Sequence, residues 1–155
     1  MADKQKLSRE YIKKFNHKIE GMVEFADCDA FGVAHNVKYL YWLERGRTEY
    51  FRYAGLPLGP ETFVTENRYM VVHADIDYFS ALRFTEKYTV LTRVNFIKKS
   101  SIGFENLILD ASGAPVAMAS AVLVHLNEAM QPDRIPDDIR ENVSRIEGNN
   151  VSINE

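Results

Sequence analysis

The feature that most limits what this chain can fold into is the segment from Asn36 to Tyr53. It has no proline and one interior glycine, and it carries Val37, Tyr39, Leu40, Tyr41, Trp42, Leu43, Tyr50 and Phe51. At 3.6 residues per turn these side chains cover most of the circumference, and a helix that is apolar nearly all round must be enclosed by other structure. Asn36 is a good N-cap residue, and Gly55-Leu56-Pro57 stops a helix in the expected way. The chain has 155 residues, of which 46% are hydrophobic, enough for one domain with a single core.

The sequence around this segment predicts strands. Val72, Ala74, Ile76 and Tyr78 alternate with His73, Asp75 and Asp77, and Tyr88, Val90, Thr92, Val94 and Phe96 repeat the pattern. After a turn at Lys98 to Ser101 come a run from Ile102 to Leu109, a second turn at Asp110 to Gly113, and a run from Pro115 to Leu126. An earlier strand is expected over Lys18 to Glu24, a short amphipathic helix over Ser8 to Phe15, and a final helix over Asp137 to Ile146. A frayed tail is expected at Gly148, Asn149 and Asn150. Short connections favour an antiparallel sheet. The fold class is therefore α+β, with an antiparallel sheet curled around one long central helix. Residues 1–17 form an N-terminal extension, 18–147 the domain and 148–155 the tail. One helix covers only one face of a sheet and leaves its edges unpaired, so a homodimer or homotetramer is expected.

Composition removes several partners. A formal net charge of -3 gives no broad attraction to nucleic acid or to an anionic membrane. Cys28 is the single cysteine, so no internal disulfide can form and the cytoplasm is the default location. The Lys-rich stretch Met1 to Glu20 lacks the apolar run of a secretory signal, and Ala114 to Leu126 falls short of the ~20 residues a membrane span needs.

The chemistry concentrates between Phe25 and Tyr39, where Asp27, Asp29, Gly32 and His35 directly precede the long helix. The free N–H groups of a helix's first turn can donate to an oxygen that becomes negative during acyl transfer. A carboxylate beside them can attack an acyl carbonyl or deprotonate a water that does so. Aspartates before helices also serve as plain backbone caps, and spacing leaves both readings open. His35 has two readings as well, one positioning water or Asp29 and one structural. Cys28 reads as a packed thiol, and Glu44 with Arg47, three apart on the helix, as an ion pair. There is no Gly-rich phosphate loop, no paired Cys or His metal spacing and no Gly-x-Ser-x-Gly elbow, so neither a metal nor an organic cofactor is expected.

The string Asp29-x-x-Gly32 followed by Asn36, Tyr39, Glu44 and Arg47 resembles the signature of the 4-hydroxybenzoyl-CoA thioesterase family. The resemblance runs from about Lys18 to Val143 and includes Val116-Ala117 and the exit Arg134-Ile135-Pro136. It implies a hotdog fold and hydrolysis of an acyl-CoA, or an acyl carrier protein thioester, to a free acid. It further implies Asp29 as the catalytic carboxylate and the backbone N–H of Asn36 as the donor to the thioester carbonyl. Gly32 would permit the tight backbone path, Asp27 would support the site, and His35 and Tyr39 would lie beside the substrate. Lys98, Lys99 and Ser101 are candidates for the coenzyme A phosphates. His35 departs from the pattern, in which many relatives carry an aromatic residue or asparagine. The rival readings are a hotdog dehydratase or hydratase using His35 or His73, and a non-catalytic acyl-thioester binding protein.

Overall fold

The structure is a computed structural model that describes residues 7–64 and 68–155. In chain order the elements are α1 (Arg9–Ile12), β1 (His17–Met22), α2 (Asn36–Tyr53), β2 (Arg68–Tyr78), β3 (Lys87–Ile97), β4 (Ser101–Asp110), β5 (Pro115–Leu126), α3 (Asp137–Glu147) and β6 (Ser152–Ile153). The long strands pair antiparallel in the order β1-β3-β4-β5-β2, with β6 added in parallel to β3. This is the hotdog fold, with α2 held against one face of the sheet.

The strand order is not the order in sequence. β3 is already paired with β1 along one edge and with β4 along the other, so β2 crosses over to the free edge of β5. The alternation within β2 also changes phase. A bulge between Val71 and His73 leaves Val72 as the extra residue, exposed, and not on the same face as Ala74 and Ile76. Either side of the bulge, Val71 lies opposite the buried Leu123, and Ala74 and Ile76 opposite the buried Ala121 and Ala119.

α2 sits on β3 through a buried stripe of Tyr39, Trp42, Leu43, Gly46, Tyr50 and Phe51. Trp42 stacks on Tyr88 with ring centroids 4.2 Å apart, and Tyr50 meets Phe104 edge to face. Gly46 is the point of closest approach: a Cβ built there would lie 2.8 Å from Thr92 Oγ1 and 3.0 Å from Val90 Cγ1. The enclosure expected all round the helix is incomplete in one protomer. Val37, Leu40 and Tyr41 are 42%, 44% and 62% exposed along one side of α2. Among the described residues no helix is long and apolar enough to cross a membrane.

Both ends of the chain are tied down more tightly than the sequence suggests. The first helix is a single turn capped by Ser8, not a helix to Phe15, and the first six residues of the expected extension lie outside the described residues. Tyr11 donates to Glu105 (2.9 Å), and Arg93, itself bonded to Glu105 at 2.7 Å, lies over the rings of Tyr11 and Phe15. Tyr11 and Phe15 of the extension therefore pack on the sheet face away from α2. The tail is not frayed: Arg93 donates to the carbonyl of Asn150 and Arg140 to that of Asn154, while β6 pairs with Phe96 and Ile97. Two buried guanidiniums need acceptors, and the tail's carbonyls supply them.

Two expected outcomes follow from this packing. Gly46→Ala gains at most about 1 kcal/mol of helix propensity, but forces a methyl group into Thr92 and Val90 at a cost of about 1–3 kcal/mol. Urea titration should therefore show a lower midpoint despite the better helix former. The second concerns Glu147, which is buried and accepts from Tyr50 Oη and the Val94 N–H through Oε1, while Oε2 has no hydrogen-bond partner among the described residues. Burial holds its carboxyl above the ordinary value of 4.5. A raised folded-state pKa means that its stabilising contribution is full below 4.5 and is lost as pH rises through the folded value. Glu147→Gln, neutral throughout, should gain on the wild type in melting temperature as pH is raised from about 4.5 towards neutrality. A constant difference would mean that Glu147 does not titrate in this range.

Candidate active site

The segment between β1 and α2 is folded by its own carboxylates. After β1 a 3₁₀ turn covers Phe25–Asp27. Asp27 is buried, accepts the Glu24 N–H through Oδ2 (2.9 Å) and pairs through Oδ1 with Lys38 Nζ (3.3 Å) in the first turn of α2. Backbone bonds from His35 N–H to Asp27 O (2.8 Å) and from Asp29 N–H to Val33 O (2.9 Å) make a short antiparallel ladder around Cys28 and Ala34. Gly32 closes the turn at φ +72°, the left-handed region that favours glycine, and donates to Asp29 O at 3.0 Å. Ala34 donates to Leu82 O (2.7 Å), which ties the loop to the connection before β3. Asp29 is thereby folded back beside the residues that lead into the helix.

Asp29 is half-buried, and only one of its oxygens is engaged: Oδ1 accepts the Phe31 N–H at 2.8 Å. Among the described residues Oδ2 has no partner. At the start of α2 the N-cap is His35, with Asn36 as the first helical residue, so the capping role expected of the Asn36 side chain is corrected. His35 holds the extended backbone of a cap (ψ 136°), and its Nδ1 accepts the Val37 N–H at 3.2 Å. The Lys38 N–H goes to His35 O (2.8 Å). The Asn36 N–H alone of these three finds no acceptor among the described residues. One open backbone donor and one open carboxylate oxygen thus belong to the same loop–helix junction.

The other expected site residues are placed elsewhere. Tyr39 is in the core and not on the site's surface. Its hydroxyl accepts the Leu82 N–H (3.1 Å), its ring packs on Trp42 and Tyr78, and burial raises its pKa. The turn at Lys98, Lys99 and Ser101 is held by Ile135 and Arg140 at the far end of β3, roughly 30 Å of strand from Lys87 and the loop. Cys28 points its thiol at Glu24 O, as a packed thiol does. Glu44 and Arg47 form no ion pair; burial lowers the Arg47 pKa, partly offset by the nearby Glu44. His73 bonds Asp75 (3.2 Å) on the exposed edge strand. Two residues that sequence reading missed brace the junction. Lys38 pairs with Asp27, and Tyr78 donates to the Asn36 carbonyl at 2.9 Å. Tyr78 sat in plain view at the end of an alternating run, but no periodicity links it to a helix start.

A helix cradled in a curled antiparallel sheet, with an aspartate loop delivered to its N-terminus, defines a class of protein equipped for acyl-transfer chemistry. The family model of the thioesterase-like superfamily matches residues 23–143, and the chain belongs to that superfamily. It is 31% identical to the acyl-CoA thioesterase YbgC of Haemophilus influenzae over 76% of this chain and 87% of that protein. It is also 26% identical to the chloroplastic acyl-acyl carrier protein thioesterase ATL3 of Arabidopsis thaliana. That match covers 80% of this chain and spans only 65% of that relative's length. Among solved structures it resembles a Thermus thermophilus thioesterase crystallised with coenzyme A and zinc, at 27% identity and a TM-score of 0.77, covering 88% of this chain and 97% of that one.

Proposed function

We propose that this protein hydrolyses acyl thioesters, with Asp29 as the nucleophile or general base and the Asn36 N–H as donor to the thioester oxygen. The observation that carries this reading is the pair of open groups at the start of α2, the Asp29 Oδ2 and the Asn36 N–H, beside Val37 and Lys38 N–H groups that are both bonded to His35. Asp29 Oδ1 is occupied by the turn, which fixes the carboxylate while Oδ2 stays available. As the thioester carbonyl becomes tetrahedral, charge develops on its oxygen, and a fixed N–H at the positive end of a helix stabilises that charge without reorganising. Similarity to YbgC favours coenzyme A as the carrier, and the Arabidopsis relative keeps acyl carrier protein in view.

The dehydratase reading needs a histidine base. His35 has Nδ1 committed to the Val37 N–H, which leaves its proton on Nε2 and makes the neutral ring a donor. A pure binding protein has no use for a half-free carboxylate at a helix start.

A dimer completes this reading. β2 is an edge strand with Met70, Val71 and Val72 exposed, and it borders the uncovered side of α2. In a two-fold pair with antiparallel α2 helices, the partner's Lys98–Ser101 turn comes to the Asp29 end. That is the arrangement in which those lysines could meet coenzyme A phosphates.

Asp29→Asn should lower kcat for thiol release from acyl-CoA by about a hundredfold or more, with KM and the unfolding midpoint little changed. Asp27→Asn should behave oppositely, keeping most of its kcat while losing about 1 kcal/mol of stability with the Lys38 ion pair. Reversed effects would transfer the catalytic role to Asp27. Light scattering at micromolar concentration should give a mass of at least two chains; a monomer would leave β2 unpaired and sink the proposal for the partner's lysines.

A further inference from the structure

Two adjoining recesses lie along the groove between α2 and the β2–β5 edge. The first, about 320 Å³, begins at Val37, one residue inside the helix end that bears the open Asn36 N–H, and is lined by Leu40, Tyr41, Leu43, Ala74 and Ala119. The second, about 300 Å³, lies further along α2 and is lined by Phe51, Leu56, Leu58, Tyr69 and Leu123. Both are largely apolar. Three residues line both, Glu44, Arg47 and Val71, so the boundary between two greasy compartments carries two charged groups.

Arg47 is half-buried, and among the described residues it makes no hydrogen bond and no ion pair. An unpaired guanidinium in such a place keeps water on its head group, and an apolar chain crossing it must strip that water without replacing its hydrogen bonds. Within the first compartment the opposite holds. Each methylene taken out of water improves binding by about fourfold. From Asn36 to Glu44 the helix rises about 12 Å, which sets the length over which that gain accumulates.

We propose that Glu44 and Arg47 form the floor of the acyl site, so that the protein selects thioesters of short to medium apolar acyl groups and rejects long ones. This rests on the thioesterase reading above and adds the residues that set its specificity. The occupant is the acyl chain because the groove opens at the helix end where the thioester carbonyl would be held. Before the charged boundary the lining of its first compartment is apolar except for Asp75 and Ser120, and Ser120 Oγ donates to the Asp75 carboxylate, whereas Arg47 has no such partner among the described residues.

The test is a profile of kcat/KM against chain length for saturated acyl-CoAs from acetyl to palmitoyl, in wild type and Arg47→Met. Methionine keeps an unbranched stem and removes the charge. In the wild type kcat/KM should climb with each methylene to an optimum and then fall. In Arg47→Met the optimum should move to longer chains, with the long-to-short ratio up at least tenfold, and Glu44→Gln should move it the same way by less. If Arg47→Met does not fold, the Glu44→Gln profile decides. An unchanged profile overturns the floor. An unchanged profile together with a change from dimer to monomer in light scattering gives this face to the second copy alone, and overturns it too. Should the wild type release no thiol from any acyl-CoA, the thioesterase reading fails separately. Calorimetric binding of the same series then reads the floor directly: a length cut-off relieved by Arg47→Met supports it, and affinity that does not depend on length removes it.

Discussion

Everything in this protein is arranged around the close seating of α2 on β3, and that seating depends on one missing side chain. At Gly46 the helix backbone comes within contact of Thr92 and Val90 with no Cβ to hold it off. Beneath it Thr92 Oγ1 accepts from Asn106 Nδ2 at 2.8 Å, while Asn106 Oδ1 has no partner among the described residues. Aromatic clusters fill in on both sides, with Trp42 on Tyr88 towards the helix start and Tyr50 on Phe104 towards its end. A helix held this close fixes the position of its own first turn, and the loop before it has then to be drawn in. The bonds from Ala34 to Leu82 and from His35 to Asp27 do this.

The buried charges show a division of labour. Arg93 and Arg140 fasten the chain's end to the sheet by donating to carbonyls of the tail, which is why a stretch rich in Gly and Asn is ordered. Asp27 is used in the same structural way, with both oxygens committed. Asp29, two residues on, has one oxygen committed and one free. Two residues with the same chemistry thus differ in what the fold leaves them to do.

The resemblance assigned the two aspartates different roles, but spacing alone treats them alike, and the reason is physical. α2 and β5 could be read to their end residues because a helical period, a proline-free run and flanking Gly and Pro are local signals. The order of the strands is a property of which edges remain unpaired, so nothing within β2 or β3 announces that β2 joins β5. The bulge at Val72 shifts the alternation by one residue and has no signature in a run of apolar side chains. The cap passed from Asn36 to His35 because a histidine Nδ1 can accept from the backbone as an asparagine oxygen does, which composition rules undercount. The resemblance around Asp29 pointed to the loop before α2, but it could not show that Tyr39 is sealed in the core or that Lys98 lies at the other end of the molecule.

The two readings of Asp29, backbone cap and proposed catalytic carboxylate, do not exclude each other, since the turn engages only Oδ1. A carboxylate that caps nothing is mobile, and a mobile base spends little time where the reaction needs it. A buried carboxylate with both oxygens bonded and a lysine beside it, like that of Asp27, has its charge already spoken for. Binding one oxygen to the Phe31 N–H supplies the fixed geometry of the first case without the exhaustion of the second. His35 acts on the donor side in the same way: by taking the Val37 N–H, it rigidifies the first turn and leaves the Asn36 N–H as the group still in want of an acceptor. Capping at this junction is therefore what makes the remaining acid and the remaining donor selective, and a site of this kind can be found by asking which polar groups a well-satisfied loop has left over.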